Sequence, residues 1–233
     1  MGMGMSFGIT AETGNNIQTD GLVFYVDAAF KKSYPGSGTT WSDLAGSNHG
    51  TINSATFNSS GDFAFDGTDD YINHAFDFTG LTALSVEAWA YQNSQGSFNT
   101  IIGQWRNNNF AMSSIVLETV GSEMWFIIAN GGSLYSAKKT GFTTGAWHHV
   151  VGTWDGSTVR VYVDGTVGGT TASTSSMNDS SLPTLIGGIQ TPAGGYLDGD
   201  WNGKVANVKV YNKSLSSSEI SQNFNAIRNR FGV

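Results

Sequence analysis

The chain has 233 residues, no cysteine and a formal net charge of −7, which leaves no disulfide, thiolate metal site or Cys nucleophile. The acidic balance argues against nucleic acid, whose binding rests on Lys and Arg neutralising phosphates, and against an anionic membrane surface. Apolar residues make up 39% but charged residues only 12%. The core is therefore sizeable, and the surface is carried by Ser, Thr, Asn and Gly, as on proteins that pack against their own copies or meet neutral sugars.

Residues 1–20, beginning MGMGMSFGITAETGNN, have neither the basic nor the apolar region of a signal peptide and are expected to form an N-terminal arm. No apolar run approaches the ~18 residues needed to span a bilayer. From residue 21 short alternating segments recur between Gly, Asn, Asp and Ser clusters: GLVFYVDA, LSVEAWAY, EMWFIIAN, AWHHVVGTW, TVRVYVDG and KVANVKVY. Period-two alternation bounded by turn residues predicts half-buried antiparallel strands. Asp155-Gly156 and Asp164-Gly165 supply the positive φ angles of hairpin turns. One stretch has helical periodicity: Ser216 and Glu219 form a capping box, and Ile220, Phe224, Ile227 and Phe231 share a face, which predicts a helix over about Ser217 to Phe231. With no linker, charge run or repeat, residues 21–233 form one domain, an all-β two-sheet antiparallel sandwich of jelly-roll type with one C-terminal helix.

FDGTDDYI, residues 65–72, places Asp66, Asp69 and Asp70 in five positions. Asp66 and Gly67 suit a tight turn held by side-chain bonds to the backbone. The same carboxylates also suit Ca²⁺, which takes six to eight oxygens. Three acids are too few, so a calcium site needs a second segment, either YLDGDWNG (Asp198, Asp200, Asn202) or WSDLAGSNHG (Asp43, Asn48). The readings, in order, are a structural turn without cofactor, a Ca²⁺ site and a catalytic acid pair. Trp105, Tyr196 and Trp201 lie in polar, loop-like surroundings and are the candidates for stacking on sugar rings, whereas Trp89, Trp125, Trp147 and Trp154 lie in strand patterns and are expected in the core. His148 and His149 are neighbours on a strand, so their rings point to opposite faces and cannot chelate one ion.

Six stretches in order, GLVFYVDA (21–28), SYPGSGTTWSDLAGSNHGTI (33–52), FDGTDDYI (65–72), LSVEAWAY (84–91), WHHVVGTWDGSTVRVYVDG (147–165) and WNGKVANVKVYNKSLSSSEI (201–220), resemble the LamG-like jelly-roll family of the concanavalin A-like lectin/glucanase fold. The wording of SYPGSGTTW and QNFNAIRNRFG is most similar to members encoded by tailed, particularly marine, phages. Relatives often carry an acid where this chain has Asn207. Retaining glycosidases of the fold carry a Glu-x-Asp-x-x-Glu type strand. None of the five Glu here (Glu12, Glu87, Glu118, Glu123, Glu219) has a second acid two residues on, so no catalytic pair and no enzyme is expected.

The resemblance and the uncharged polar surface together imply a non-catalytic, virion-associated structural or adhesion protein of a capsid or tail. It would be made in the host cytoplasm, be present in many copies or as a homo-oligomer, and have other virion proteins or cell-surface glycans as partners. The alternative is a free lectin-like carbohydrate-binding module of a bacterium.

Overall fold

Alternation gives every long strand one face for the core and one for another layer, and both are filled here. The structure, a computed structural model, describes residues 16–174, 176–191, 193 and 195–233, the side chains of 196–198 excepted. One sheet runs β14 (Thr166–Ala172), β13 (Thr158–Val163), β12 (Trp147–Trp154), β7 (Leu84–Gln92), β18 (Asn202–Tyr211), β5 (Asp62–Asp66) and β4 (Thr56–Asn58). The far edge of β18 is shared: Asn202–Val205 pair with β5, and Asn207–Tyr211 pair with β1 (Leu22–Asp27). The second sheet runs β11 (Ser133–Thr140), β10 (Glu123–Asn130), β9 (Ile115–Val120), β8 (Asn99–Gln104), β15 (Thr184–Ile186), β6 (Tyr71–His74), β3 (Gly50–Asn53) and β2 (Thr40–Trp41). A short hairpin, β16 (Ile189–Gln190) and β17 (Tyr196–Asp198), stands apart from both. The expected two-sheet antiparallel sandwich with one C-terminal helix is the observed fold. Among the described residues no helix is long and apolar enough to cross a membrane.

Val86, Ala88 and Ala90 of β7, Leu117 of β9 and Phe126 of β10 meet in the core between the sheets. The layers approach so closely at Gly152 of β12 that a Cβ there would lie 2.2 Å from the Phe126 ring. The hairpin chemistry appears at Asp164 and Gly165, with φ of 52° and 73° between β13 and β14, the two positive angles a type I′ turn requires. The other pair is looser. Gly156 alone has positive φ, and the Asp155 carboxylate holds the loop by accepting from the backbone N–H of Ser157 and Thr158.

The helix α1 spans Ser217–Ile227 and tightens into a 3₁₀ turn over Arg228–Phe231, with the Ser216/Glu219 capping box in place. It covers the outer face of the first sheet, and its fully buried residues are Ile220, Asn223 and Ala226. The buried stripe thus contains an asparagine where periodicity pointed to Phe224, because Asn223 Nδ2 donates to Glu87 Oε2 at 2.5 Å. Phe224 and Phe231 instead stack on Trp89, with ring centroids 5.8 and 4.1 Å away. The end of the N-terminal arm is tied to the same helix: Gln18 N–H donates to Asn223 Oδ1 and Gln222 Nε2 to the Asn16 carbonyl.

Candidate functional site

The outer face of the second sheet is built from alternate residues of four neighbouring strands. Thr100 of β8 pairs with Glu118 of β9, Glu118 with Trp125 of β10, and Trp125 with Lys138 of β11. Directly opposed residues share a face, and since Leu117, Phe126 and Ala137 face the core, this row faces outward. The next row puts Val116 beside Ile127, and with Trp105, Ala129 and Ile189 these form a second apolar cluster against which Phe110 and Trp125 pack. Ile189 belongs to the β16–β17 hairpin, which folds back over this end of the face. Arg106 locks it down by donating from Nε and Nη2 to Gln190 Oε1 at 3.2 and 2.7 Å.

The hairpin covers one half of the face, and the Trp125 end stays half-open. The Trp125 indole N–H donates to Glu123 Oε2 at 2.9 Å, and the Lys138 ammonium lies 3.7 Å from the ring centroid. Phe98, 54% exposed, stands one residue before β8 at the same end. Burial raises the Glu118 carboxyl to about 7, partly offset by the Thr100 hydroxyl, so near neutrality it both donates and accepts hydrogen bonds. Glu123 lies diagonally across the ladder from it, at the roughly 7–8 Å of diagonal neighbours and within the range of an inverting carboxylate pair. Two facts oppose catalysis: Glu118 is 5% exposed, and Glu123 is engaged by the indole. The accessible part of the arrangement is a half-open aromatic ring with the Lys138 ammonium and the Glu123 carboxylate beside it, which suits binding.

A family model described as the Concanavalin A-like lectin/glucanases superfamily (Laminin_G_3) matches residues 66–221, about two thirds of the chain. The chain belongs to this superfamily. Solved structures agree on the fold of this concanavalin A-like domain. The binding domain of botulinum neurotoxin DC in complex with SialylT aligns at a TM-score of 0.68 and 14% identity, covering 89% of this chain and 52% of that one. The same binding domain in complex with rat synaptotagmin II gives 0.66 and 14%, again over 89% and 52%. A mutant of Trypanosoma rangeli sialidase displaying trans-sialidase activity gives 0.66 and 18%, over 95% and 35%. The chain thus spans about half of the neurotoxin domains and about a third of the sialidase. No curated protein matches its sequence.

In this concanavalin A-like domain two of the three sugar-stacking expectations are corrected. Trp201 is fully buried with its indole N–H directed at the Lys204 carbonyl. Trp105 is 5% exposed, packed on Phe110 beneath the hairpin. Neither presents a free ring face. The Tyr196 side chain lies outside the described residues. Sequence reasoning passed over Phe98 and placed Trp125 in the core. The signal for Trp125 is present in EMWFIIAN, where its parity is opposite to Met124, Phe126 and Ile128.

Asp66, Asp69 and Asp70 do converge, with carboxylate oxygens within 4.8 Å of one another, and Asp200 is not part of that group. The Asp198 side chain lies outside the described residues. Asp70 Oδ2 accepts the Asp66 N–H at 2.8 Å and Asp66 Oδ1 accepts the Thr68 N–H at 2.8 Å, so two of the three carboxylates hold the loop itself. Burial raises the Asp70 carboxyl, against the pull of the Asp66 N–H, and its two acidic neighbours raise it further. Of the second segments, Asn202 is the ladder partner of Asp66. Asp43 is committed elsewhere, accepting from the N–H groups of Tyr25, Ala45 and Asn48. His148 and His149 do face apart. His148 bonds Asp164 at 2.8 Å, and His149 sits beside Glu87 on the helix-covered face.

Proposed function

We propose that this chain is a non-catalytic glycan-binding module whose contact surface is the Trp125 end of the second sheet. The observation that carries this is the half-open Trp125 indole between Glu123 and Lys138, with exposed Phe98 at the same end of the sheet. Sugars present apolar ring faces and hydroxyls; the half-open indole offers a surface to the first, and the Glu123 carboxylate and exposed Lys138 ammonium beside it offer hydrogen-bond partners to the second. The neurotoxin binding domain solved with SialylT supports a glycan as ligand class, through shared fold alone. A glycan array tests this, followed by incubation of any hit with the protein. Retention without release of reducing ends is expected; turnover of the glycan would replace this reading with a glycosidase using Glu118 and Glu123.

The place we propose for the module is the surface of a phage virion, in many copies. The phage-like wording of SYPGSGTTW and QNFNAIRNRFG and a surface with few charges support it. Mass spectrometry of purified particles should find the chain in multiple copies. A soluble protein absent from particles would favour a free bacterial lectin instead.

A further inference from the structure

A cavity of about 580 Å³ opens on the other side of the molecule, between residues 17–22, β1, the turn after it and the loop at 42–49. That volume lies within the range of small-molecule sites. Its walls include Ile17, Leu22, Tyr25, Phe30 and Leu44, and Phe30 is 36% exposed, a large apolar side chain left partly in water.

Of the polar side chains around the cavity, Asp43, Tyr25 and His49 are already committed, which leaves the Thr19 and Ser42 hydroxyls as the neutral ones. Asp43 accepts three backbone N–H groups, from Tyr25, Ala45 and Asn48. The Tyr25 hydroxyl donates to Asp27 Oδ2 at 3.1 Å, and His49 Nδ1 accepts the Asp43 N–H. A sugar would bring hydroxyls to a wall with few free partners, and burying unpaired polar groups is unfavourable. Two charges remain. Lys31 and Lys32 line the cavity yet are exposed, which places them at its mouth. Among the described residues no carboxylate lies within ion-pair distance of either, whereas Lys209, Lys213, Arg160 and Arg230 are all paired.

We propose that this cavity binds a long-chain carboxylate, with the alkyl chain among Leu22, Phe30 and Leu44 and the carboxylate held at Lys31 and Lys32. The site is separate from the Trp125 face and does not depend on the glycan reading. Apolar walls supply affinity through burial of methylenes, and the two lysines select an anionic head over a neutral one.

Calorimetric titration of the full 233-residue chain with decanoate and laurate, below their critical micelle concentrations, and with dodecanol, below its solubility limit, tests this. Laurate should bind one-to-one, and tighten over decanoate by roughly fourfold per added methylene. Lys31→Ala with Lys32→Ala, both at exposed positions, should weaken laurate at least tenfold, leave dodecanol unchanged and leave the melting temperature unchanged. Leu44→Trp, which narrows the cavity where the alkyl chain would lie, should weaken binding of both. Absence of laurate binding would overturn the proposal, as would equal affinity for laurate and dodecanol, or undiminished binding in Leu44→Trp. Binding seen only after removal of residues 1–15 would assign the cavity to the chain's own N-terminal segment and overturn it equally.

Discussion

Lys209 Nζ lies 2.7 Å from Glu87 Oε1, and both side chains are fully buried beneath the C-terminal helix. They sit on paired residues of β18 and β7, with His149 3.2 Å away and Asn223 of the helix on the second carboxylate oxygen. Burial alone would raise the Glu87 carboxyl, but Lys209 and His149 outweigh it and hold it well below the usual carboxylate range. Asn207 Oδ1 accepts from Lys209 Nζ at 3.2 Å. A carboxylate there would set a second anion against one lysine. The pair fixes where the helix docks.

Removing one partner should therefore cost far more than removing both. Lys209→Met leaves the buried carboxylate with only His149 and Asn223 beside it and is expected to destabilise by about 3–5 kcal/mol in chemical denaturation. Lys209→Met with Glu87→Leu should recover most of that loss. Because the folded Glu87 pKa is depressed, its contribution is present above the ordinary carboxylate pKa and is lost as pH falls below it. Acid should loosen the helix first, read as a rise in Trp89 accessibility.

Gly152→Ala tests the spacing of the layers. Its φ is not in the left-handed region, so the cost comes from the new methyl group 2.2 Å from the Phe126 ring. Overpacking of this kind costs roughly 1–3 kcal/mol, and Phe126→Leu in the same chain should relieve part of it. A Gly152→Ala variant with unchanged melting temperature would contradict the packing described.

Glu118 predicts the opposite pH behaviour to Glu87. Its folded pKa is raised to about 7 from 4.5, so the folded state holds the proton more tightly. Its stabilisation is full below about 4.5 and is lost as pH rises to about 7, a change on the order of 3 kcal/mol. His74, lowered to about 4 by burial, runs the other way, losing stability as pH falls from about 6.5 towards 4. The readout is accordingly the difference between the parent and Glu118→Gln across pH 4.5–7, which should narrow as pH falls.

At the Asp66–Asp70 loop the hydrogen bonds favour the turn. Calcium and EDTA are expected to leave the melting curve where it is, while Gly67→Val should lower it strongly. Gly67 has φ of 79°, and a Cβ there would lie 2.9 Å from Asn202 Cβ. If the loop binds calcium instead, a hundredfold excess over Kd would stabilise by about 2.7 kcal/mol, and Asp69→Asn with Asp70→Asn would remove the effect.

The strands and the helix were legible because alternation and capping are local. So was the opposition of His148 and His149. Which sheet each strand joins was not, because it depends on pairings such as Glu87 with Lys209, 122 residues apart. Trp105 and Trp201 mislead for the same reason. Their neighbours in sequence are polar, but Trp105 packs against Ile189 of the β16–β17 hairpin and Trp201 enters the core between the sheets, and composition does not report that burial. Trp125 lay within reach of parity reasoning, while its openness depends on where the hairpin stops.

A glycan received at the Trp125 end of the second sheet leaves a local signature. Titrating ¹⁵N-labelled protein with an array hit tests it most directly. Shifts of the Trp125 indole N–H and of the Phe98, Glu118 and Lys138 amides are expected. Phe98→Ala, at a largely exposed position, should weaken binding without changing the melting temperature. A silent Trp125 indole, with shifts gathered instead at Asp66–Asp70 or around Trp147, would contradict it.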